Sequence, residues 1–223
     1  MSQLFLSILI LKHLHLQKCL QKVPNDTIAL NNLGIIFGQQ NKFDEAVKYF
    51  NEVLRIKPDF VSTHINMGYV LILQGDFDKA IVHLAEAVRL DPKSAKAHYY
   101  LGKALVQEGK VHEAIAHFEE SLRLKPDWVE PMNDLAWILT SSKESTIHNP
   151  SRAVRLAQRA CELTNYTEPY LLDTLAAAYA ATGDFSKAVE ITEKALELCQ
   201  PSFKEEFEKR LALYKAGKPY FGD

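Results

Sequence analysis

The chain has 223 residues, with 26 basic and 28 acidic side chains, a formal charge of -2, 47% hydrophobic and 24% charged residues. This balance belongs to an ordinary folded protein rather than a disordered one, and it argues against nucleic acid or an anionic membrane as the main partner, because phosphate binding needs clustered positive charge. Cys19, Cys161 and Cys199 are scattered and odd in number, so they supply neither a disulfide framework nor a CxxC metal pair; a reducing compartment is expected, with the cytoplasm as the default location.

In chain order, the first feature is the apolar run from Leu4 to Leu11, interrupted by Ser7. It falls far short of the roughly 20 residues that span a bilayer. Nothing basic precedes it and no small-residue cleavage site follows it, so neither a spanning helix nor a secretory signal is expected. His13 to Lys22 reads as the second helix of a hairpin whose first helix is missing or degenerate. Residues 1–23 are therefore expected to form a half-repeat with unburied apolar surface, to be covered by another chain, by a second copy, or by a longer upstream stretch of the same polypeptide.

From Pro24 onward the sequence is periodic. Pro24, Pro58, Pro92 and Pro126 recur every 34 residues, and Gly34, Gly68 and Gly102, then Ala46, Ala80 and Ala114, keep the same spacing. Between prolines, each unit carries two stretches with apolar residues at helical spacing, as in Ile28 to Gln39 and Asp44 to Lys57, broken near Asn41-Lys42. Each unit is thus a helical hairpin. The glycine of the first helix and the alanine of the second allow close backbone approach, and the proline ends the unit. Units are expected at 24–57, 58–91, 92–125, 126–165 and 166–201. The fourth carries an insertion at 141–150, expected to project as a loop before Asn149-Pro150 restarts a helix with Asn as cap and Pro in the first turn. At 202–223 the stripe Phe203, Phe207, Leu211 and Tyr214 predicts a capping helix over unit five.

This pattern resembles the tetratricopeptide repeat (TPR): Leu33-Gly34, Phe37, Ala46, Phe50 and Pro58 in unit one, Met67-Gly68, Leu71, Ala80, Leu84 and Pro92 in unit two, and Leu101-Gly102, Leu105, Ala114, Phe118 and Pro126 in unit three. Leu135-Ala136 and Leu175-Ala176 continue it in units four and five. The resemblance implies an all-α solenoid, a right-handed superhelix of hairpins whose concave face is lined by the first helix of each unit and holds an extended peptide or a partner helix. The family's groove positions fall on Asn31, Asn32, Asn66, Tyr69, Lys96, Tyr99, Tyr100, Lys103, Asn133, Asp134, Trp137, Tyr170 and Asp173.

Asn32 and Asn66 occupy one equivalent position, similar to the asparagine ladder of some such repeats, with Tyr100, Asp134 and Thr174 departing from it. Paired amides offer a donor and an acceptor to a peptide backbone, the aromatics offer rigid anchors, and the charge passes from neutral through basic Lys96 and Lys103 to acidic Glu130, Asp134 and Asp173. A clamp for a C-terminal carboxylate is disfavoured, because Asn31, Ile35 and Tyr100 stand where the family's clamps place Lys, Asn and Arg.

Little in the sequence points to chemistry. His112-Glu113-Ala114-Ile115-Ala116-His117 has its histidines five apart rather than four, so they diverge by about 140° around a helix and cannot share one ion. His83 and His117, late in successive second helices, read as two exposed polar positions rather than a metal pair. No phosphate loop or nucleophile elbow is present, and the cysteines read as packed apolar residues. The expectation is a non-enzymatic protein-interaction scaffold without metal or cofactor, with a protein or peptide partner, no nucleic acid and no membrane insertion. Two alternatives stand beside it. The units and tail also resemble the TPR segments of bacterial proteins linked to membrane glycosyltransferase-like domains, and the N-terminal segment offers a route to homo-oligomers.

Overall fold

The computed structural model describes residues 3–220, with side chains from Leu11 onward. Among them are twelve helices and no strand: α1 (Gln3–Lys22), α2 (Thr27–Gln39), α3 (Phe43–Ile56), α4 (Val61–Gln74), α5 (Phe77–Leu90), α6 (Ala95–Gln107), α7 (Val111–Leu124), α8 (Val129–Ser141), α9 (Pro150–Leu163), α10 (Pro169–Ala181), α11 (Phe185–Leu198) and α12 (Pro201–Lys215). The fold is all-α and built of helical repeats. The chain divides into two compact units, one running to Leu124 and the other starting at Lys125.

In the first unit, α2 packs on α3, α4 on α5 and α6 on α7, while α3 also packs on α4 and α5 on α6, so that each hairpin leans on the next. The seam inside each hairpin explains the invariant spacing. A Cβ on Gly34 would lie 2.4 Å from the Phe50 ring, one on Gly68 2.4 Å from Leu84, and one on Gly102 2.8 Å from Phe118. Phe50, Leu84 and Phe118 are at most 1% exposed, and Ala46, Ala80 and Ala114 are fully buried beside them. Burying each large side chain contributes about 2–3 kcal/mol, and only a glycine leaves it room. Between the two helices, Asn41, Gly75 and Gly109 take left-handed φ values of 58°, 80° and 72°. Asn is the non-glycine residue that best tolerates this region, which accounts for its place in the first hairpin.

α1 begins ten residues before the expected helix from His13 to Lys22, and it packs against α2. Leu4 to Ile10, most of the apolar run, lie outside the described side chains. No described helix is long and apolar enough to cross a membrane.

In the second unit, α8 packs on α9, α9 and α8 on α10, α10 on α11, and α11 on α12. Here the seam uses Ala136 and Ala176, both fully buried, on the first helices, while Ala157 and Thr192 stand in register with Phe50 and are also buried. Asn149 caps α9 by accepting from Arg152 N–H at 3.1 Å, with Pro150 in the first turn. The insertion does not simply project. Ile147 is buried, and the Asn149 N–H donates back to the Leu139 carbonyl at 2.9 Å, which ties the end of the loop to α8. On α12 the buried set is Phe207, Arg210 and Tyr214, whereas Phe203 is 52% exposed and Leu211 half-buried. The stripe is thus rotated so that an arginine, rather than Phe203, faces inward.

Candidate functional site

The first unit forms a cleft of about 490 Å³ on the first-helix side of its hairpins, with Ile35 and Gln39 from α2, Asn66, Tyr69 and Leu73 from α4, and Lys96 and Tyr100 from α6. Three kinds of chemistry meet there. Buried Asn31 accepts through Oδ1 from the Thr63 hydroxyl at 2.9 Å and from Asn66 Nδ2 at 3.3 Å. This link holds the Asn66 amide in a fixed orientation on the cleft wall. Tyr69 and Tyr100 lie with ring centroids 5.0 Å apart, and Lys96 Nζ sits 5.7 Å from the Tyr100 centroid. Tyr69 and Leu73 are both exposed, as is Lys96.

Other expected positions lie elsewhere. The asparagine link runs from Asn31 to Asn66, not from Asn32, which is exposed and lines a separate cleft between α1 and α2. A one-residue step rotates a side chain about 100° around a helix, so Asn31 reaches Asn66 while Asn32, at the position equivalent to Asn66, faces the other cleft. Tyr99 is buried, 6.0 Å from the Phe118 ring and 5.2 Å from Tyr100, and so serves the hairpin core and supports Tyr100 from behind. Lys103 is half-buried with Nζ 5.7 Å from the Tyr99 centroid.

In the second unit, Tyr170 is exposed, and its hydroxyl is pushed up by burial and by nearby Glu168, Glu130 and Asp134. Asn133 and Asp134 are half-buried on α8, and Asn133 Oδ1 has no hydrogen-bond partner. Asp173 is buried and ion-paired with Arg210, so it is not an open acidic position; Arg210 also pairs with Glu206. Burial pushes the Asp173 carboxyl up, against the opposing pull of Arg210. Trp137 is in contact with Arg210 at 5.1 Å and with the Tyr220 ring at 6.0 Å. Sequence reasoning missed Arg210 and Tyr220. The available signal was that Arg210 follows Phe207 by three and precedes Tyr214 by four, which puts it on the buried face of α12.

The histidines pair within hairpins rather than between them. His64 Nε2 donates to the Pro58 carbonyl at 2.8 Å, and its Nδ1 lies within hydrogen-bond distance of His83 Nδ1, at 3.2 Å. His98 repeats this with Pro92 at 3.2 Å and His117 at 2.9 Å. His83 and His117 are therefore half-buried partners, not exposed polar positions. Burial, reinforced by the neighbouring histidine, lowers the pKa of both below the ordinary value. Among the described residues no three His, Cys, Asp or Glu side chains are grouped so as to hold a metal ion. Cys161 is fully buried and its thiol is pushed up to about 12 by burial, which keeps it protonated.

Family models described as tetratricopeptide repeat match residues 27–60, 95–128 and 170–201, and one described as TPR repeat matches 68–109; together they cover more than half of the chain. No curated protein matches the sequence. Among solved structures, the chain is similar to MamA, with 22% identity, a TM-score of 0.65, and coverage of 82% of this chain and 95% of that one. It is similar to YrrB, described as a TPR protein with an unusual peptide-binding site, at 16% identity and a TM-score of 0.66, covering 87% and 97%. A third likeness is to the Cut9-Hcn1 hetero-tetramer of the APC/C, at 20% identity and a TM-score of 0.75, covering 92% of this chain and 39% of the other. At these identities the likenesses establish the repeat fold.

Proposed function

Since this chain is a tetratricopeptide repeat protein, we propose that it is a non-enzymatic interaction scaffold whose first unit holds an extended peptide segment or a partner helix in the cleft formed by α2, α4 and α6. The observation that carries this reading is the convergence in one cleft of an oriented amide on Asn66, an aromatic pair at Tyr69 and Tyr100, and the cation Lys96, beside exposed Leu73. The amide suits a peptide backbone, the rings and Leu73 suit an apolar side chain, and Lys96 suits a carboxylate, so the complementary ligand is an extended segment with an apolar anchor and an acidic residue. YrrB, whose fold this chain shares, is described as having an unusual peptide-binding site.

The test is selection from a displayed peptide library on the wild type and on the triple variant Asn66→Ala, Tyr69→Ala, Lys96→Ala. None of the three side chains is buried, so helicity should be retained. Peptides enriched on the wild type should bind the variant at least about tenfold more weakly, given typical losses at aromatic and charged anchors; equal binding would refute the cleft as the site.

A second reading rests on α1. Leu11 and Leu14 are 67% and 49% exposed, and a largely apolar cleft of about 530 Å³ between α1 and α2 is lined by Leu11, Leu16 and Ile35 among others. This supports self-association through α1, alongside peptide binding rather than against it. Light scattering on Leu11→Lys, Leu14→Lys should show a smaller mass than the wild type, and an unchanged mass would reject that interface.

A further inference from the structure

The first-helix face of the second unit has an occupant supplied by the chain itself. After α12 the backbone turns through Gly217 at φ 66°, with Lys218 N–H donating to the Leu213 carbonyl at 3.0 Å. This turn brings Tyr220 to Trp137 of α8, with ring centroids 6.0 Å apart, and places its ring centroid 4.4 Å from the Arg210 guanidinium carbon. Arg210 lies 5.1 Å from the Trp137 ring and pairs with Asp173 of α10. Such ring and cation contacts are individually modest and mutually reinforcing.

The cluster is not fully satisfied by this occupant. Asp173 Oδ1, Arg210 Nε and the Tyr214 hydroxyl have no hydrogen-bond partner, although their residues are only 8%, 6% and 1% exposed. A carboxylate acceptor beside a guanidinium donor is the complement of one extended residue, whose own N–H and C=O point to the same side and would serve one each. Tyr220 supplies a ring to the cluster and leaves those polar atoms unserved, so a segment that brings a ring and a correctly placed extended residue has an advantage over the tail.

We propose that the face formed by α8, α10 and α12 is a second binding site, selective for an extended segment with an aromatic residue next to a proline, and that Lys218-Pro219-Tyr220 is its displaceable occupant in cis. It does not depend on the reading of the first unit's cleft. The cis occupant lowers the apparent affinity for an incoming segment to the intrinsic affinity multiplied by the fraction of molecules in which the tail is unseated.

The probe is a synthetic peptide with the sequence of residues 215–223, titrated into the full chain and into Tyr220→Ala while Trp emission and heat are recorded. Tyr220→Ala should bind the peptide at least about tenfold more tightly than the wild type, the effect expected from losing one ring and one cation contact in cis. A peptide with alanine in place of its tyrosine should not bind, and Trp137→Ala added to Tyr220→Ala should abolish binding. A chain ending at Gly217 should behave as Tyr220→Ala does, which guards against misfolding of a single variant. Equal affinity for wild type and variant, no binding to either Tyr220→Ala or the shortened chain, or binding indifferent to Trp137 would overturn the proposal.

Discussion

The two units solve the same packing problem with opposite choices of side chain. In the first, a glycine on one helix faces a large residue on the other, as Gly34 faces Phe50 and Gly102 faces Phe118. In the second, alanine stands in the glycine's register and a small residue, Ala157 or Thr192, in that of the large one. A methyl in the glycine's place would collide with a large side chain opposite, so where the first helix carries alanine the facing position is small and the hairpin still closes. The same contrast extends to the exposed faces. The first unit presents a cleft with Lys96 at its edge, and the second holds Arg210 and Tyr220 against Trp137 and Asp173.

The sharpest way to break the comparison is Phe118→Ala, which should cost about 3–5 kcal/mol in denaturant unfolding because the cavity cannot close against a rigid hairpin. Adding Gly102→Ala should return part of that loss, since the pair then imitates Ala136 and Ala157; a double variant less stable than Phe118→Ala alone would show that the two seams are not interchangeable. Arg210→Ala should cost the second unit roughly 3–5 kcal/mol by leaving Asp173 buried without its partner. Arg210→Ala with Asp173→Ala should be milder than the single change if the uncompensated charge is the cause. Gly34→Ala should cost about 1–3 kcal/mol, because the new Cβ would press into the Phe50 ring.

A smaller effect concerns pH. His83 and His117 have lowered pKa values in the folded chain, so between those values and the ordinary 6.5 the unfolded chain binds more protons. Stability is therefore full above about pH 6.5 and declines as pH falls below it. Around the pairs, Glu86 on the same helix feels His64, while Glu120 feels His98 and Glu113 acts on His117. His83→Gln with His117→Gln should flatten the dependence of the melting temperature on pH between about 5 and 7, and an unchanged slope would place the titration elsewhere. The least effect is expected from the exposed Glu52–Arg55, Glu86–Arg89 and Glu120–Arg123 pairs. Replacing their glutamates with glutamine should leave the melting temperature within replicate scatter at physiological salt.

The repeat and the all-α fold were legible because they are local and periodic: proline ends each hairpin, and glycine or alanine marks its seam. The site was legible only in part. Spacing put Asn32 and Asn66 at one equivalent position, whereas the hydrogen bond to Asn66 comes from Asn31, a pairing across 35 residues that a 34-residue period does not single out. Tyr99 and Tyr100 are adjacent in sequence and look alike as anchors, yet one faces Phe118 and the other Tyr69. Asp173 and Trp137 could not be recognised as engaged, because their partners Arg210 and Tyr220 come from the non-repeating end, where no period relates one position to another.

The buried thiol of Cys161 gives the second unit a kinetic clock of its own. With no exposed area and a pKa of about 12, it reacts with an alkylating reagent only through molecules that have opened, so its labelling rate reports how often that unit comes apart. Cys19, half-buried in the first unit beside His15, reacts from the folded state and serves as the internal standard. Mass spectrometry of the two modified peptides would read the opening frequency of one half of the molecule in a mixture, without a mutation or an added dye.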